Sequence, residues 1–211
     1  MPIVKIENIN KAFSWGLWKI DETVDFLLHS STLSDEETES FGSISHEIRQ
    51  KEWLAARLAL KIILQENGYT YRGLIKDKVN KPYPIFLPIH ISLAHKFPYA
   101  VAIFNKNSPC GIDIEKPKSS LLRVCNKYLS SNELLYIKSD PGNLCLSWAA
   151  KEVLYKIYGK KKVSFKSHMF LYPFELQDQG EIKATIKLKD FKEDFTLAYS
   201  HFDGFYICYN I

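Results

Sequence analysis

The sequence predicts an α+β protein built from two similar α/β halves, and three observations lead to that reading. A helical segment without Gly or Pro fills residues 45–67 and is followed by apolar strand segments within residues 90–104. A second amphipathic segment, residues 143–158, is followed by period-two segments at 183–189, 195–200 and 205–209. The 211 residues are 46% apolar and 14% aromatic, enough to bury one large core or two smaller ones. No sequence repeat accompanies this alternation. The expected division is an N-terminal half, residues 1–105, and a C-terminal half, residues 106–211.

Taken in order, residues 4–13 mix apolar and polar positions and, with Trp15 and Trp18 following, read as an opening strand and turn. Ser34 followed three residues later by Glu37 has the form of a capping box and predicts a short helix. Residues 45–67 form the long helix, rich in Ala, Leu, Lys, Arg and Glu, with Gly68 placed to stop it. Three prolines break residues 76–88 into loop. His90-Ile-Ser-Leu-Ala and Tyr99-Ala-Val-Ala-Ile-Phe read as two strands, the second apolar enough to be central. A turn at 105–109 leads to a third strand over 110–115, and helices are expected at 121–129, 131–137 and 143–158.

A net charge of +4 is too small to argue for nucleic acid as a partner, and no RRM, KH or zinc pattern is present. It favours an acidic or phosphorylated partner over a basic one. The four cysteines, Cys110, Cys125, Cys145 and Cys208, lie far apart with no CxxC pair, which reads as reduced thiols in a cytosolic protein. The N-terminal residues lack the plan of a signal peptide, and no apolar run approaches the ~20 residues of a membrane span. The expectation is a cytoplasmic protein that uses no membrane.

Chemistry enters with Gly111-Ile112-Asp113-Ile114-Glu115. Strand alternation sends Asp113 and Glu115 to one face, their Cα atoms ~6.5 Å apart. Two carboxylates so placed repel each other unless a cation sits between them, and hard oxygen ligands suit Mg²⁺. Alone, the pentapeptide reads better as a solvated strand face than as a metal site. On the helix Ser147–Lys156, the positions Trp148, Lys151, Glu152, Tyr155 and Lys156 crowd one arc opposite Ala149, Ala150, Val153 and Leu154. A solvated face seldom carries Trp and Tyr among its charges, so this arc is expected to pack against something polar or to line a site, against the alternative of a surface Glu152–Lys156 pair.

Together, Gly-Ile-Asp-Ile-Glu and Trp-x-x-Lys-Glu-x-x-x-Lys resemble the paired signatures of the 4′-phosphopantetheinyl transferase superfamily. Asn80-Lys81-Pro82-Tyr83 resembles its Gly-Lys-Pro loop, and Ser92-Leu93-Ala94-His95 its Asn-(Ile/Leu)-Ser-His strand end. Asn80 stands where Gly is usual, Ser92 where Asn is common, and Ala94 where a phosphate-binding Ser is usual. The chain length is similar to that of the larger, Sfp-like class, whose two halves form a pseudo-dimer within one chain; a monomer is then expected, with the active site between the halves.

The resemblance implies transfer of the 4′-phosphopantetheine group of coenzyme A to a serine of an apo acyl, peptidyl or polyketide carrier protein, with release of 3′,5′-ADP. By it, Asp113, Glu115 and Glu152 would bind Mg²⁺, and Asp113, Glu152 and Lys156 would be catalytic. The base would be Glu152 or a metal-held water. Lys51, Arg57, Lys81, His95, Lys151 and Lys156 would contact coenzyme A, the first two at its 3′-phosphoadenosine. Glu133 resembles a glutamate found between the two signatures, but a helix N-terminal acid explains it equally. The lysines at 160, 161, 162 and 166 could face an acidic carrier helix or form a plain basic loop. Two other readings stand beside this one: a Mg²⁺-dependent phosphodiesterase, and a coenzyme-binding homologue without activity.

Overall fold

The structure, a computed structural model, describes residues 3–160 and 163–211, so Met1, Pro2, Lys161 and Lys162 of the readings above lie outside the described residues. The chain divides into two compact units, Met1–Cys110 and Gly111–Ile211.

In the first unit the order is β1 (Ile3–Asn10), β2 (Phe13–Lys19), α1 (Val24–Ser30), α2 (Asp35–Gly42), α3 (Glu47–Glu66), β3 (Leu74–Lys76), β4 (Pro82–Pro84), β5 (His90–Lys96) and β6 (Tyr99–Asn105). The sheet runs β1-β2-β6-β5 with every pairing antiparallel. As its apolar run predicts, β6 is internal and all seven residues are buried. Helix α3 lays Leu54, Ala59, Leu60, Ile63 and Leu64 against Trp18, Ala100, Ala102 and Phe104. The opening strand and turn prove to be a hairpin whose second strand carries Trp15 and Trp18. Helix α1, not anticipated, is capped by Thr23, whose Oγ1 accepts from Phe26 N at 3.2 Å. The capping box of α2 is present, Glu37 N donating to Ser34 Oγ and Ser34 N to Glu37 Oε2, both at 3.2 Å.

The second unit comprises β7 (Ile112–Glu115), α4 (Leu121–Tyr128), α5 (Glu133–Tyr136), α6 (Pro141–Tyr158), α7 (Phe165–His168), β8 (Met169–Leu171), β9 (Gln179–Leu188), β10 (Phe191–Phe202) and β11 (Phe205–Asn210). Its antiparallel sheet runs β7-β11-β10-β9-β8. Asp140 caps α6 by accepting from Gly142 N and Asn143 N, and Pro141 sits in the first turn. Gly159, at φ +64°, ends the helix in the left-handed conformation that glycine adopts without strain. The apolar side of α6, including Leu146, Ala149, Ala150, Val153 and Leu154, meets Ile182, Leu197 and Cys208 in the core of this unit. All four cysteines are buried and none is in a disulfide. No helix among the described residues is long and apolar enough to cross a membrane.

Candidate functional site

Among the described residues, strand β7 lies at the edge of its sheet, paired to β11, with Asp113 opposite Cys208. Gly111, just before it, lies against α6: a Cβ there would stand 2.6 Å from the carbonyl oxygen of Val153. Only glycine permits that approach, and it brings the carboxylates of β7 beside the polar side chains of α6. Asp113 is not on a solvated face; it is 7% exposed. Lys156 Nζ donates to Asp113 Oδ1 and to the carbonyl of Ile112, each at 2.8 Å.

Glu152 lies one turn before Lys156 on the same helix. Burial pushes its carboxyl up to about 7; Asp113 adds to that rise, Lys156 opposes it, and Glu115 adds again. The structure thus brings Asp113, Glu115 and Lys156 within electrostatic reach of Glu152, with Glu115 half-buried at the end of β7. Among the described residues, no three His, Cys, Asp or Glu side chains are arranged as a closed metal-binding group.

Lys151 lies elsewhere, although the helical wheel groups it with Glu152 and Lys156. It is 0% exposed, and its Nζ donates to Glu133 Oε2 and to the carbonyls of Tyr128, Phe165 and Met169 at 2.8–3.0 Å. An ammonium saturated in this way holds α6, α5 and the start of β8 together, so its place is inside the unit and not on a coenzyme-facing surface. Glu133, 1% exposed, also accepts from Leu171 N at 3.0 Å. It is the residue sequence reasoning set aside, and its partner eighteen positions away gave no local signal.

Trp148 and Tyr155 face Phe165, with ring centroids 5.4 and 5.7 Å away, and Trp148 also meets Tyr128 edge-on at 5.2 Å. Beside this aromatic group a cavity of about 340 Å³ is lined by Glu115, Lys118, Leu121, Val124, Cys145 and Trp148. The aromatic part of the arc therefore borders a recess that reaches the end of β7. Of the lysine run, Lys166 Nζ donates to the carbonyl of Asn126 at 2.9 Å, and Lys160 lies 5.6 Å from the ring of Tyr158.

The remaining candidates belong to the first unit. Arg57 is buried, its Nε 2.6 Å from Glu37 Oε1, its Nη1 3.1 Å from the carbonyl of Trp53, and its guanidinium stacked on the Trp53 ring. Like Lys151 it is held inside its unit, where the expectation placed it at the 3′-phosphoadenosine. Lys51 pairs with Glu47 at 2.9 Å on the surface of α3. Lys81 lies within the electrostatic influence of His90 and Cys110. Asn80 has φ +68°, a left-handed conformation that asparagine tolerates better than other non-glycine residues. The departure from Gly at this position keeps the backbone form that Gly would take. His95, on β5, puts Nδ1 3.3 Å from Glu52 Oε2 of α3.

Residues 109–209 match a family model described as the 4′-phosphopantetheinyl transferase superfamily. Over 150 residues the chain is 26% identical to the 4′-phosphopantetheinyl transferase gsp of Aneurinibacillus migulanus, covering 67% of this chain and 62% of that protein. The chain thus spans less than two thirds of that relative's length.

Proposed function

Residues 109–209 belong to the 4′-phosphopantetheinyl transferase superfamily, and from that premise we propose that this protein moves the 4′-phosphopantetheine group of coenzyme A onto a serine of an apo carrier protein, releasing 3′,5′-ADP. It does so as a cytoplasmic monomer. The observation that carries the reading is the set of three like-charged carboxylates, Asp113, Glu115 and Glu152, beside Lys156, in which Glu152 is pushed up to about 7.

That donor set fits Mg²⁺. Carboxylates gathered at one place repel one another and are stabilised by a hard divalent cation, which takes one to three of them and fills its remaining positions with water and phosphate oxygens. Asp113, Glu115 and Glu152 would hold the ion. When bound, Mg²⁺ supplies charge neutralisation for the pyrophosphate of coenzyme A and for the departing 3′,5′-ADP.

The chain's own residues account for the rest. Lys156, fixed by Asp113 and the carbonyl of Ile112, presents a positioned cation to a phosphate oxygen. Glu152 takes the proton of the carrier serine on its carboxylate; support for this is its partly buried place beside Asp113 and one helical turn before Lys156. His95, Lys81 and Lys51 are the proposed coenzyme contacts. The acceptor is an acyl, peptidyl or polyketide carrier.

The test is the mass of an apo acyl carrier protein after incubation with this protein, Mg²⁺ and coenzyme A. A gain of ~340 Da that EDTA prevents is the expected result for a metal-dependent transfer. No gain on that acceptor or on an apo peptidyl carrier would overturn it.

A further inference from the structure

His95 is an anion contact only if its imidazole is held with one nitrogen directed outward and a proton on the correct atom. Nδ1 is 3.3 Å from Glu52 Oε2, and the side chain is 28% exposed against 9% for that of Glu52. Glu52's other oxygen, Oε1, accepts from the backbone N–H of Phe97 at 2.7 Å. One buried carboxylate thus grips both the side chain at the end of β5 and the backbone of the turn that follows.

We propose that Glu52 is the positioning residue for His95: its carboxylate accepts from Nδ1–H and orients the ring, so that the doubly protonated ring directs its Nε2–H outward to donate to a phosphate of coenzyme A. This rests on the coenzyme reading of His95 given above. With both nitrogens protonated the ring has two N–H donors, and the carboxylate that takes one fixes the direction of the other. The same arrangement is used where a carboxylate orients a histidine that works through its far nitrogen. Burial pushes the Glu52 carboxyl up, but His95, the Phe97 N–H and the charge of Arg49 together bring it below its ordinary range, so it is an anion at neutral pH. Glutamine cannot replace it: an amide offers one acceptor oxygen where two donors, Nδ1–H and the Phe97 N–H, need one each.

A double-mutant cycle on coenzyme A affinity, by calorimetric titration in the presence of Mg²⁺, tests this. Glu52→Gln and His95→Ala should each weaken binding about five- to tenfold, the scale of one charge-assisted hydrogen bond, and the double variant should bind no worse than His95→Ala. Equal losses from Glu52→Gln in both backgrounds would mean that Glu52 acts on the fold and not through His95, overturning the proposal. Unchanged affinity in Glu52→Gln, with loss in His95→Ala, would also overturn it. No effect of His95→Ala would instead remove the coenzyme role of His95 itself. A reading independent of any variant's folding is the ¹⁵N spectrum of the wild-type imidazole at alkaline pH. The Nδ1–H tautomer is expected there, and the Nε2–H tautomer would refute the assignment.

Discussion

At Lys151 the fold places a full positive charge out of reach of water, with four oxygens around three hydrogens. Removing one partner of such a pair strands the other, so Lys151→Met should lower the unfolding free energy by about 3–5 kcal/mol in urea titrations. Adding Glu133→Leu should recover part of that loss, since two apolar groups leave no orphaned charge. Glu52 gives the pH-dependent counterpart. Its folded pKa lies below the ordinary 4.5, so the stability it contributes is fully present above that value and disappears as pH falls through the lower folded value. The difference in thermal midpoint between wild type and Glu52→Gln should therefore be constant near neutrality and shrink in acid. Neither role was legible along the chain. A long lysine side chain leaves its helix in several directions, and which it takes at 151 is decided by Glu133, while the line of sight from Glu52 to His95 exists only once β5 packs on α3. That Asp113 and Glu115 share a strand, and that Glu152 and Lys156 lie one turn apart on a helix, was legible, because strand alternation and helical spacing are local.

Between elements, the decisive contact is the close pass of β7 over α6 at Gly111. Gly111→Ala must move the strand or the helix, at about 1–3 kcal/mol of overpacking, and should reduce transfer further by separating Asp113 from Glu152 and Lys156. Thermal unfolding beside the Mg²⁺ dependence of carrier modification checks both halves of that expectation. Asp113→Ala and Glu152→Gln should each lower transfer at least about 100-fold while leaving the circular dichroism spectrum unchanged. The helices α2, α3 and α6 were readable from caps and periodicity. The first hairpin was not, since no Asn-Gly or Asp-Gly turn marks residues 11–12, and β10 was read short because its first half is charged. That half pairs with β9 alone, β11 reaching only from Leu197 onward, so its side chains face solvent and alternate without an apolar signal.

At the scale of the whole chain, each unit carries a core of its own, one built around α3 and one around α6. Leu60→Ala, at a fully buried position in the first, should cost about 2–5 kcal/mol. Amide exchange should report the loss of protection over residues 3–110 more than over 111–211, because each core stabilises its own unit. The alternation of helix and strands made the existence of two halves readable. The chain divides after Cys110, and the turn just before it is closed by Asn105, whose side-chain oxygen accepts from Asn107 N and Ser108 N. One property of the interior also makes such experiments practical. With every thiol folded away from solvent, and that of Cys110 pushed up to about 12 by burial, maleimide reagents meet a silent background. A single engineered thiol on an open position, such as Leu135→Cys where the native side chain is 85% exposed, would then take a fluorophore or spin label alone, turning the native chain into its own reporter.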